Sequence, residues 1–468
     1  MSEKEKTPGE LRREALCYKQ KNGWDRLAEG EEAALNAYCE DYKKFLDEGK
    51  TERECVDYTI RLAQANGFVE LKRGMELKPG DKVYRSNRGK AIMLAVIGSE
   101  SLENGVNIGA AHIDSPRLDL KQNPLYESDE MAFLKTHYYG GIRKYQWVTI
   151  PLALHGVVVK QDGETVNVVI GEDPTDPVIY INDLLPHLAQ DQSQKPLAKA
   201  IPAESLNLLL GTRPYPGLEG GNAIRLNILS MLNEKYGITE EDFLSADLSA
   251  VPADKARDVG LDRSLIGAYG HDDRVCAYPS MTALFGTDDS AHTSMVILAD
   301  KEEIGSDGNT GMQCELMTDL MEEITRALGG NFATMKANSK CLSSDVTACF
   351  DPNFAEVFDR RNVSMLNCGV AMSKYTGHGG KVGTNDAPAE YVAWIRKVMA
   401  DAGVIWQAGD MGKTDVGGGG TVAKFIAKHN IETVDLGVPV ISMHAPYEII
   451  SKADLYTAHL AFTAFFRA

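Results

Sequence analysis

Hydrophobic positions in this chain alternate between helical spacing and continuous apolar runs. Residues 8–66 have a helical pattern, in which Thr51 and Glu54 stand at the spacing of a capping box. Apolar runs typical of strands covered on both faces lie at 91–98, 107–114 and 294–300. Helices are predicted at 311–330 and 386–402. Residues 434–444 contain the last predicted strand, and a short helix closes the chain.

The pattern between about 120 and 250 differs from that of the rest. Two β-rich runs flank Asp162-Gly163, a dipeptide that favours a hairpin turn, and the stretch after 175 is rich in proline and polar residues. We therefore predict an α/β fold, a mixed sheet covered by helices on both faces, formed by residues 1–120 and 250–468. A β-rich second domain is predicted as an insertion at 121–249.

The composition is ordinary for a globular protein, but its charge is not neutral. Lys and Arg number 49 and Asp and Glu 67, which gives a net charge of −18. Proteins that bind nucleic acids or anionic membranes usually carry the opposite sign, so we expect neither partner, and the charge is compatible with cation binding. No apolar run reaches the length of a membrane-spanning helix.

The cysteines indicate a reducing compartment. None of the eight forms a C-x-x-C pair, and several lie inside apolar runs. The first residues lack the apolar core of a signal peptide. A cytoplasmic location with reduced thiols is the expectation.

Metal-competent side chains follow the predicted strands directly. They are His112, Asp114, Glu302, Glu303, Asp345 and His444. In open α/β sheets the loops after the strands converge on one crevice, so we expect these side chains to meet. Asp272 and Asp273 add a carboxylate pair in front of a helix.

The residue types suit a particular chemistry. Two imidazoles with several carboxylates suit Zn²⁺ or a similar first-row ion, and a bridging carboxylate would give two ions about 3.5–4 Å apart. In the Glu302-Glu303 pair, one carboxylate can bind metal while the other acts as general base for water. Asp114 can orient the imidazole of His112.

Each of these features alone has a simpler explanation. A single histidine after a strand is more often structural, Asp272-Asp273 or Asp345 could cap a helix, and paired glutamates are usually solvated. Their shared position at strand ends favours a joint metal site. Competing motifs are incomplete: Gly412-Lys413-Thr414 lacks the earlier glycine of a phosphate loop, and no G-x-S-x-G sequence is present.

Five segments resemble the aspartyl aminopeptidase family of dinuclear zinc exopeptidases. They are AHIDSPRLDLK (111–121), GHDDRVCAY (270–278), DKEEIGSDGNTG (300–311), SSDVTACFDPNF (343–354) and SMHAPYE (442–448). They occur in the family's order, with a long insertion after the first. The chain differs from familiar eukaryotic members in having Ala445 after His444, and Asp273 after Asp272.

The resemblance implies a fold like that of zinc exopeptidases and a role for each matching residue. The implied zinc ligands are His112, Asp272, Glu303, Asp345 and His444. Asp272 would bridge two ions, Glu302 would be the general base, and Asp114 would orient the first ligand. His187, in the insertion, would reach the active site of a neighbouring subunit, and the insertion would serve as an oligomerisation or lid domain. Family members typically assemble as tetrahedral dodecamers.

The predicted function is a metal-dependent aminopeptidase that removes the N-terminal residue of peptides. A water that bridges two zinc ions would attack, activated by Glu302; Mn²⁺ or Co²⁺ would also fit the ligands. An acidic N-terminal residue is one option, with Lys374 as a possible contact. A related deacylase or carboxypeptidase, and a non-catalytic scaffold stabilised by metal, are the alternatives.

Overall fold

The computed structural model of this protein describes residues 6–218, 220–288 and 290–468. Residues 1–5 of the predicted α/β fold, and positions 219 and 289, lie outside the described residues. Within the described ranges, the strands form sheets of nine, seven and five strands and one two-stranded sheet. Residues Gly377–His378 and Gly418–Gly419 form the two-stranded sheet.

The nine-stranded sheet contains the strands that the apolar runs predict. In spatial order its strands are Val69–Glu70, Lys82–Asn87, Ala91–Val96, Thr293–Ala299, Val106–His112, Lys340–Ser343, Glu432–Gly437, Val370–Ser373 and Trp406–Ala408. The pairings from Thr293–Ala299 across to Glu432–Gly437 are parallel, whereas several pairings nearer the edges are antiparallel. Parallel pairing puts the C-terminal ends of the central strands at one edge.

Helices cover both faces of this sheet. Along Ala91–Val96, Leu94 and Val96 join one apolar core, and Met93 and Ala95 join another on the opposite face. This alternation follows from the two-residue period of a strand. The first core includes residues of the helices Glu31–Glu48, Glu52–Ala65, His271–Leu284, Ala389–Asp401 and Lys452–Phe466. The second includes residues of Leu316–Leu328, Phe332–Asn338 and Ala423–Ala427. The predicted mixed α/β architecture is confirmed.

The remaining α-helices of the described residues lie near the N-terminus and among the strands of the second sheet. They are Pro8–Leu16, Gln190–Ser193, Leu197–Ala200 and Ala223–Tyr236. The capping box predicted at Thr51 and Glu54 is present at the start of its helix. Among the helices described, none is both long enough and apolar enough to cross a membrane.

The seven-stranded sheet is built from residues between Arg117 and Pro252. Its spatial order is Thr165–Ile170, Leu152–Val159, Ala246–Pro252, Arg117–Ser128, Met131–Tyr139, Leu208–Gly211 and Tyr180–Ile181. The first two pair antiparallel around Asp162-Gly163, as that dipeptide predicts. A third apolar core, which includes Trp147, belongs to this sheet.

The five-stranded sheet corrects one detail of the sequence interpretation. Its order is Arg257–Val259, Leu265–Ala268, Glu448–Ser451, Pro439–Ile441 and Thr347–Ala348. The prediction that 434–444 contains the last strand was wrong, because Glu448–Ser451 follows it. This short strand is defined by antiparallel partners on both sides, which no local pattern reveals.

Candidate metal centre

Three predicted ligands, His112, Glu303 and Asp345, come to one edge of the large sheet at the ends of its parallel strands. The other two, Asp272 and His444, follow Leu265–Ala268 and Pro439–Ile441 of the five-stranded sheet. His112 is the last residue of its strand, and its register partner in the next strand is Ala299. Glu302 and Glu303 therefore begin just beyond that partner, in a short 3₁₀ turn that ends at Ile304. Asp345 follows Lys340–Ser343 in the same way. Parallel pairing is the reason that residues far apart in sequence meet here.

Asp272 lies between the two histidines. Its Oδ1 is 3.2 Å from His112 Nε2, and its Oδ2 is 3.2 Å from His444 Nε2. His112 Nε2 is also 3.8 Å from Asp345 Oδ1. On the other side, His444 Nε2 is 3.4 Å from Glu303 Oε2. The structure thus brings together all five residues predicted as ligands, with one carboxylate shared by two imidazoles.

The second nitrogen of each imidazole is held by a backbone carbonyl. His112 Nδ1 donates to the carbonyl oxygen of Asp114 at 3.0 Å, and His444 Nδ1 donates to that of Gly141 at 2.8 Å. A carbonyl oxygen only accepts, so each Nδ1 carries its hydrogen and each Nε2 faces carboxylate oxygens. A proton or a metal cation must then lie between Nε2 and those oxygens. This is the arrangement of histidines that bind metals.

The charges of the cluster fit a cation as well. Asp272 Oδ1, Asp273 Oδ1 and Glu303 Oε1 are buried and have no hydrogen-bond partner among the described residues. Burial, followed by the charge of Asp272, holds the pKa of Glu303 well above its usual range. Burial lowers the pKa of His444, but Asp272 and Glu303 outweigh it and raise that pKa to about 11. Nitrogen and carboxylate donors in this number suit a zinc-like ion.

Asp114 is fully buried and holds the turn that carries the glutamates. Its Oδ1 lies 3.3 Å from His112 Nδ1. Its two oxygens accept the backbone N–H groups of Glu302 at 3.1 Å and Glu303 at 3.2 Å. The hydroxyl of Tyr139 donates to Asp114 Oδ2 at 2.8 Å. One carboxylate therefore links the first histidine to both glutamates.

Glu302 differs from its neighbour in having a free carboxylate. Among the described residues it forms neither a hydrogen bond nor an ion pair through its side chain, which is half-buried. Burial and then the charge of Asp345 raise the pKa of Glu302 to about 8. A carboxyl group with a raised pKa beside a cation site has the properties of a general base or acid.

Two other predicted residues lie apart from this cluster. His187 is in the exposed 3₁₀ turn Pro186–Leu188, and its side chain forms no hydrogen bond or ion pair within the described part of the chain. Lys374, considered as a contact for an acidic substrate, instead pairs with Asp386 at 3.1 Å.

Sequence interpretation missed two neighbours of the site, Tyr139 and Glu448, and gave no role to a third, Asp273. Tyr139 contacts Asp114, and Asp273 Oδ2 accepts the backbone N–H of His112 at 3.3 Å. Glu448 accepts backbone N–H groups of Asp272 and His444. Glu448 lies inside a segment that carries the resemblance, as Asp273 does, and that is the signal that could have identified its role. Tyr139 has no such signal.

A cleft adjoins the metal cluster at Asp345. Its walls come from two segments rich in glycine and hydroxyl groups, and they include Ser373, Lys381, Asp410 and Asp435. The cleft contains both signs of charge.

Comparison with known proteins points to one family. The sequence model of the family described as aminopeptidase I zinc metalloprotease (M18) matches residues 45–466. A probable M18 family aminopeptidase 1 of Clostridium acetobutylicum is 47% identical over 96% of this chain and 98% of its own length. The relative of the same name in Thermotoga maritima is 44% identical over 94% of this chain and 97% of its own.

Solved structures agree with these relatives. The M18 aminopeptidase of Thermotoga maritima superposes with a TM-score of 0.92 at 44% identity, covering 96% of this chain and 99% of that one. Aminopeptidase I of Clostridium acetobutylicum gives 0.92 at 46% identity, with 97% and 100% covered. The yeast mApe1 dodecamer gives 0.75 at 20% identity, with 93% and 97% covered, and shares the fold.

Proposed function

The chain belongs to the aminopeptidase I zinc metalloprotease family (M18), and from that premise we propose that it removes N-terminal residues from peptides with a pair of zinc ions. It is a zinc metalloaminopeptidase by family. The observation that carries the two-ion proposal is the position of Asp272, which is 3.2 Å from the Nε2 atoms of both His112 and His444. A carboxylate shared in this way suits a bridging ligand.

The proposal divides the ligands between two positions. His112 and Asp345 would hold one ion, His444 and Glu303 the other, and Asp272 both. When bound, the ions supply Lewis acidity that polarises the scissile carbonyl and makes water acidic enough to deprotonate near neutral pH. Mn²⁺ or Co²⁺ would also suit this ligand set.

Glu302 is the proposed general base. Its free carboxylate would take a proton from the attacking water and deliver it to the nitrogen of the leaving amine. Support comes from its position on the same turn as Glu303, with the backbone of both residues held by Asp114. A group that transfers protons needs an unobstructed oxygen, and the side chain of Glu302 keeps both of its oxygens free of partners among the described residues.

We further propose that the chain works as a homo-oligomer, in a dodecamer of tetrahedral form, and that residues 121–249 form the oligomerisation or lid domain. The apolar side chains of Val178, Leu184, Leu185, Leu188 and Leu197 are exposed on this segment. A segment with this many large exposed apolar side chains is a candidate for an interface. His187 lies within it and would stabilise the oxyanion in a neighbouring subunit. A fold relative of known structure is the yeast mApe1 dodecamer.

The peptide substrate would place its first side chain in the cleft beside Asp345. Because this cleft contains Lys381 as well as Asp410, its lining does not by itself favour an acidic side chain over a basic one. The eight free cysteines support a location in the reducing cytoplasm. The relatives bear the name aminopeptidase, which favours this reaction over deacylase, carboxypeptidase or scaffold.

One combined experiment tests the proposal. Elemental analysis of the purified protein is expected to give two ions per chain. A separate measurement of native mass should give twelve times the 51.1 kDa of one subunit. A peptide library should lose N-terminal residues one at a time, while N-acetylated copies of the same peptides stay intact. Cleavage of the acetylated copies or of N-acyl amino acids would point to a deacylase. Metal-dependent thermal stability without any hydrolysis would point to a scaffold.

A further inference from the structure

A buried carboxylate connects the two loops that carry Asp272 and His444. Glu448, the first residue of strand Glu448–Ser451, is only 2% exposed. Its Oε2 accepts the backbone N–H of Asp272 at 3.0 Å, and its Oε1 accepts that of His444 at 2.6 Å. Both oxygens are therefore directed at backbone donors, and Glu448 is not itself placed to bind a metal ion.

The backbone that Glu448 holds is unusual. His444 has a φ of 65°, and Ser442 has a φ of 60°, in the left-handed region that residues other than glycine rarely adopt. This conformation points the N–H of His444 at Glu448 while its imidazole faces Asp272. A charge-assisted hydrogen bond to a buried carboxylate stabilises such a conformation more strongly than a neutral acceptor would.

We propose that Glu448 is a positioning residue for one of the two metal ions, the ion assigned to His444, Glu303 and Asp272. This inference rests on the proposed two-ion function. Glu448 links the positions of His444 and Asp272, because this one side chain accepts a hydrogen bond from the backbone of each. The other histidine has a separate support in Asp114, which contacts His112 and the turn of Glu302 and Glu303. Loss of Glu448 should therefore affect the two ions unequally.

Asp454 provides a matched control in the same chain. It is fully buried, and its two oxygens accept the backbone N–H groups of Asn367 at 2.8 Å and Gly369 at 2.7 Å. Like Glu448, it forms no ion pair among the described residues. Neither Asn367 nor Gly369 lies in a loop that contains a predicted metal ligand. Asp454→Asn thus removes the same kind of double acceptor without touching the metal loops.

The test is a titration of the metal-free full-length protein with Co²⁺, followed by the visible spectrum of the bound ion and by calorimetry. Glu448→Gln leaves an amide NH₂ facing one backbone donor, so the affinity for the ion assigned to His444 should fall by about 10–100-fold, and that for the other ion, which shares only Asp272, should fall less. The visible spectrum should then show that one Co²⁺ ion keeps the coordination it has in the wild type. Asp454→Asn should lower thermal stability but keep both affinities and the wild-type spectrum.

Further variants and the wild type make every outcome informative. Glu448→Asp keeps the charge but is one methylene too short to hold both donors, so it should also weaken one ion; unchanged affinities in this folded variant would overturn the proposal. Equal weakening of both ions in Glu448→Gln, or the same loss in Asp454→Asn, would make Glu448 a merely structural residue. If the wild type binds fewer than two ions, the proposed function itself fails, independently of Glu448.

Discussion

Two buried clusters of charged side chains in this protein balance their charges in opposite ways. At the metal centre, carboxylates outnumber imidazoles, and burial with neighbouring acids raises the pKa of Glu303 well above its usual range. At the junction between helix Glu52–Ala65 and the second sheet, His155 lies 2.7 Å from Glu54 and 3.0 Å from Glu172. Lysines complete the second cluster.

The pKa of Glu172 shows the difference most directly. Burial raises this pKa, but His155, Lys50 and Lys255 outweigh burial and lower it to about 2. The junction therefore contains its own cations, whereas the metal centre leaves buried oxygens without partners among the described residues. Buried charge that the chain does not compensate indicates a site for an external cation, and compensated charge indicates structure.

Of all changes to either cluster, removal of the metal should have the largest effect on activity and stability. Dialysis against a chelator is expected to abolish peptide hydrolysis and lower the melting temperature, and Zn²⁺ should restore both. A ligand present at about 1,000 times its Kd stabilises a folded protein by about 4 kcal/mol. The measurements are residual activity and differential scanning calorimetry. A fully active protein after exhaustive chelation would contradict the two-ion proposal.

The stability of the metal-free protein should also depend on pH in a specific direction. Burial is the largest cause that raises the pKa of Glu302 and the pKa of Glu448, each from 4.5 to about 8. The next cause is the charge of Asp345 for Glu302 and the charge of Asp272 for Glu448. The folded state then binds more protons than the unfolded state, so the free energy of unfolding falls as pH rises from 4.5 to about 8. The metal-free protein should melt at a lower temperature at pH 8 than at pH 6, by a larger margin than the metal-loaded protein.

Glu302→Gln should have the next largest effect. Loss of a general base is expected to lower kcat by about 10²–10⁴-fold. Because Glu302 is not among the proposed ligands, elemental analysis should find the same amount of metal as in the wild type. Glu172→Gln makes the same chemical change in the junction, and it should lower stability while kcat stays close to normal. Near-normal turnover by Glu302→Gln would show that another group is the base.

Asp114→Asn should have a smaller effect, because it changes a residue that orients ligands. Replacing one oxygen by an NH₂ group leaves the turn of Glu302 and Glu303 with one acceptor in place of two. Metal affinity is expected to fall by about 10–100-fold, measured by competition with a coloured chelator. Tyr139→Phe removes only the hydroxyl that donates to Asp114, so it should weaken metal binding less.

His155→Gln should have the smallest effect on catalysis. It removes charge-assisted hydrogen bonds at the junction, which should lower the free energy of unfolding by about 2 kcal/mol and leave kcat near the wild-type value. Burial lowers the pKa of His155, but Glu172 and Glu54 outweigh it and raise that pKa. Its stabilisation is therefore complete below its ordinary value of 6.5 and lost as pH rises through the higher folded value. Chemical denaturation at two pH values would detect this loss.

Much of the fold and the site could be predicted because the relevant patterns are local. A run such as residues 91–96 is apolar at every position, and only a strand between two layers of helices buries both faces. His112 ends such a strand and Asp345 comes just after another, so their place at the sheet edge follows from parallel pairing. Glu448 could not be found in this way, because its strand is short and exists only between two antiparallel partners.

The amino-acid sequence alone determined which side chains are able to bind a cation and that they follow buried strands. Hydrophobic period and residue chemistry are local properties, so they can be read along the chain. Only the tertiary structure decided that Asp272 lies between two imidazoles and that Glu448 accepts an N–H from a residue 176 positions earlier. Such contacts depend on the packing of distant segments against one another, and no local pattern specifies that packing.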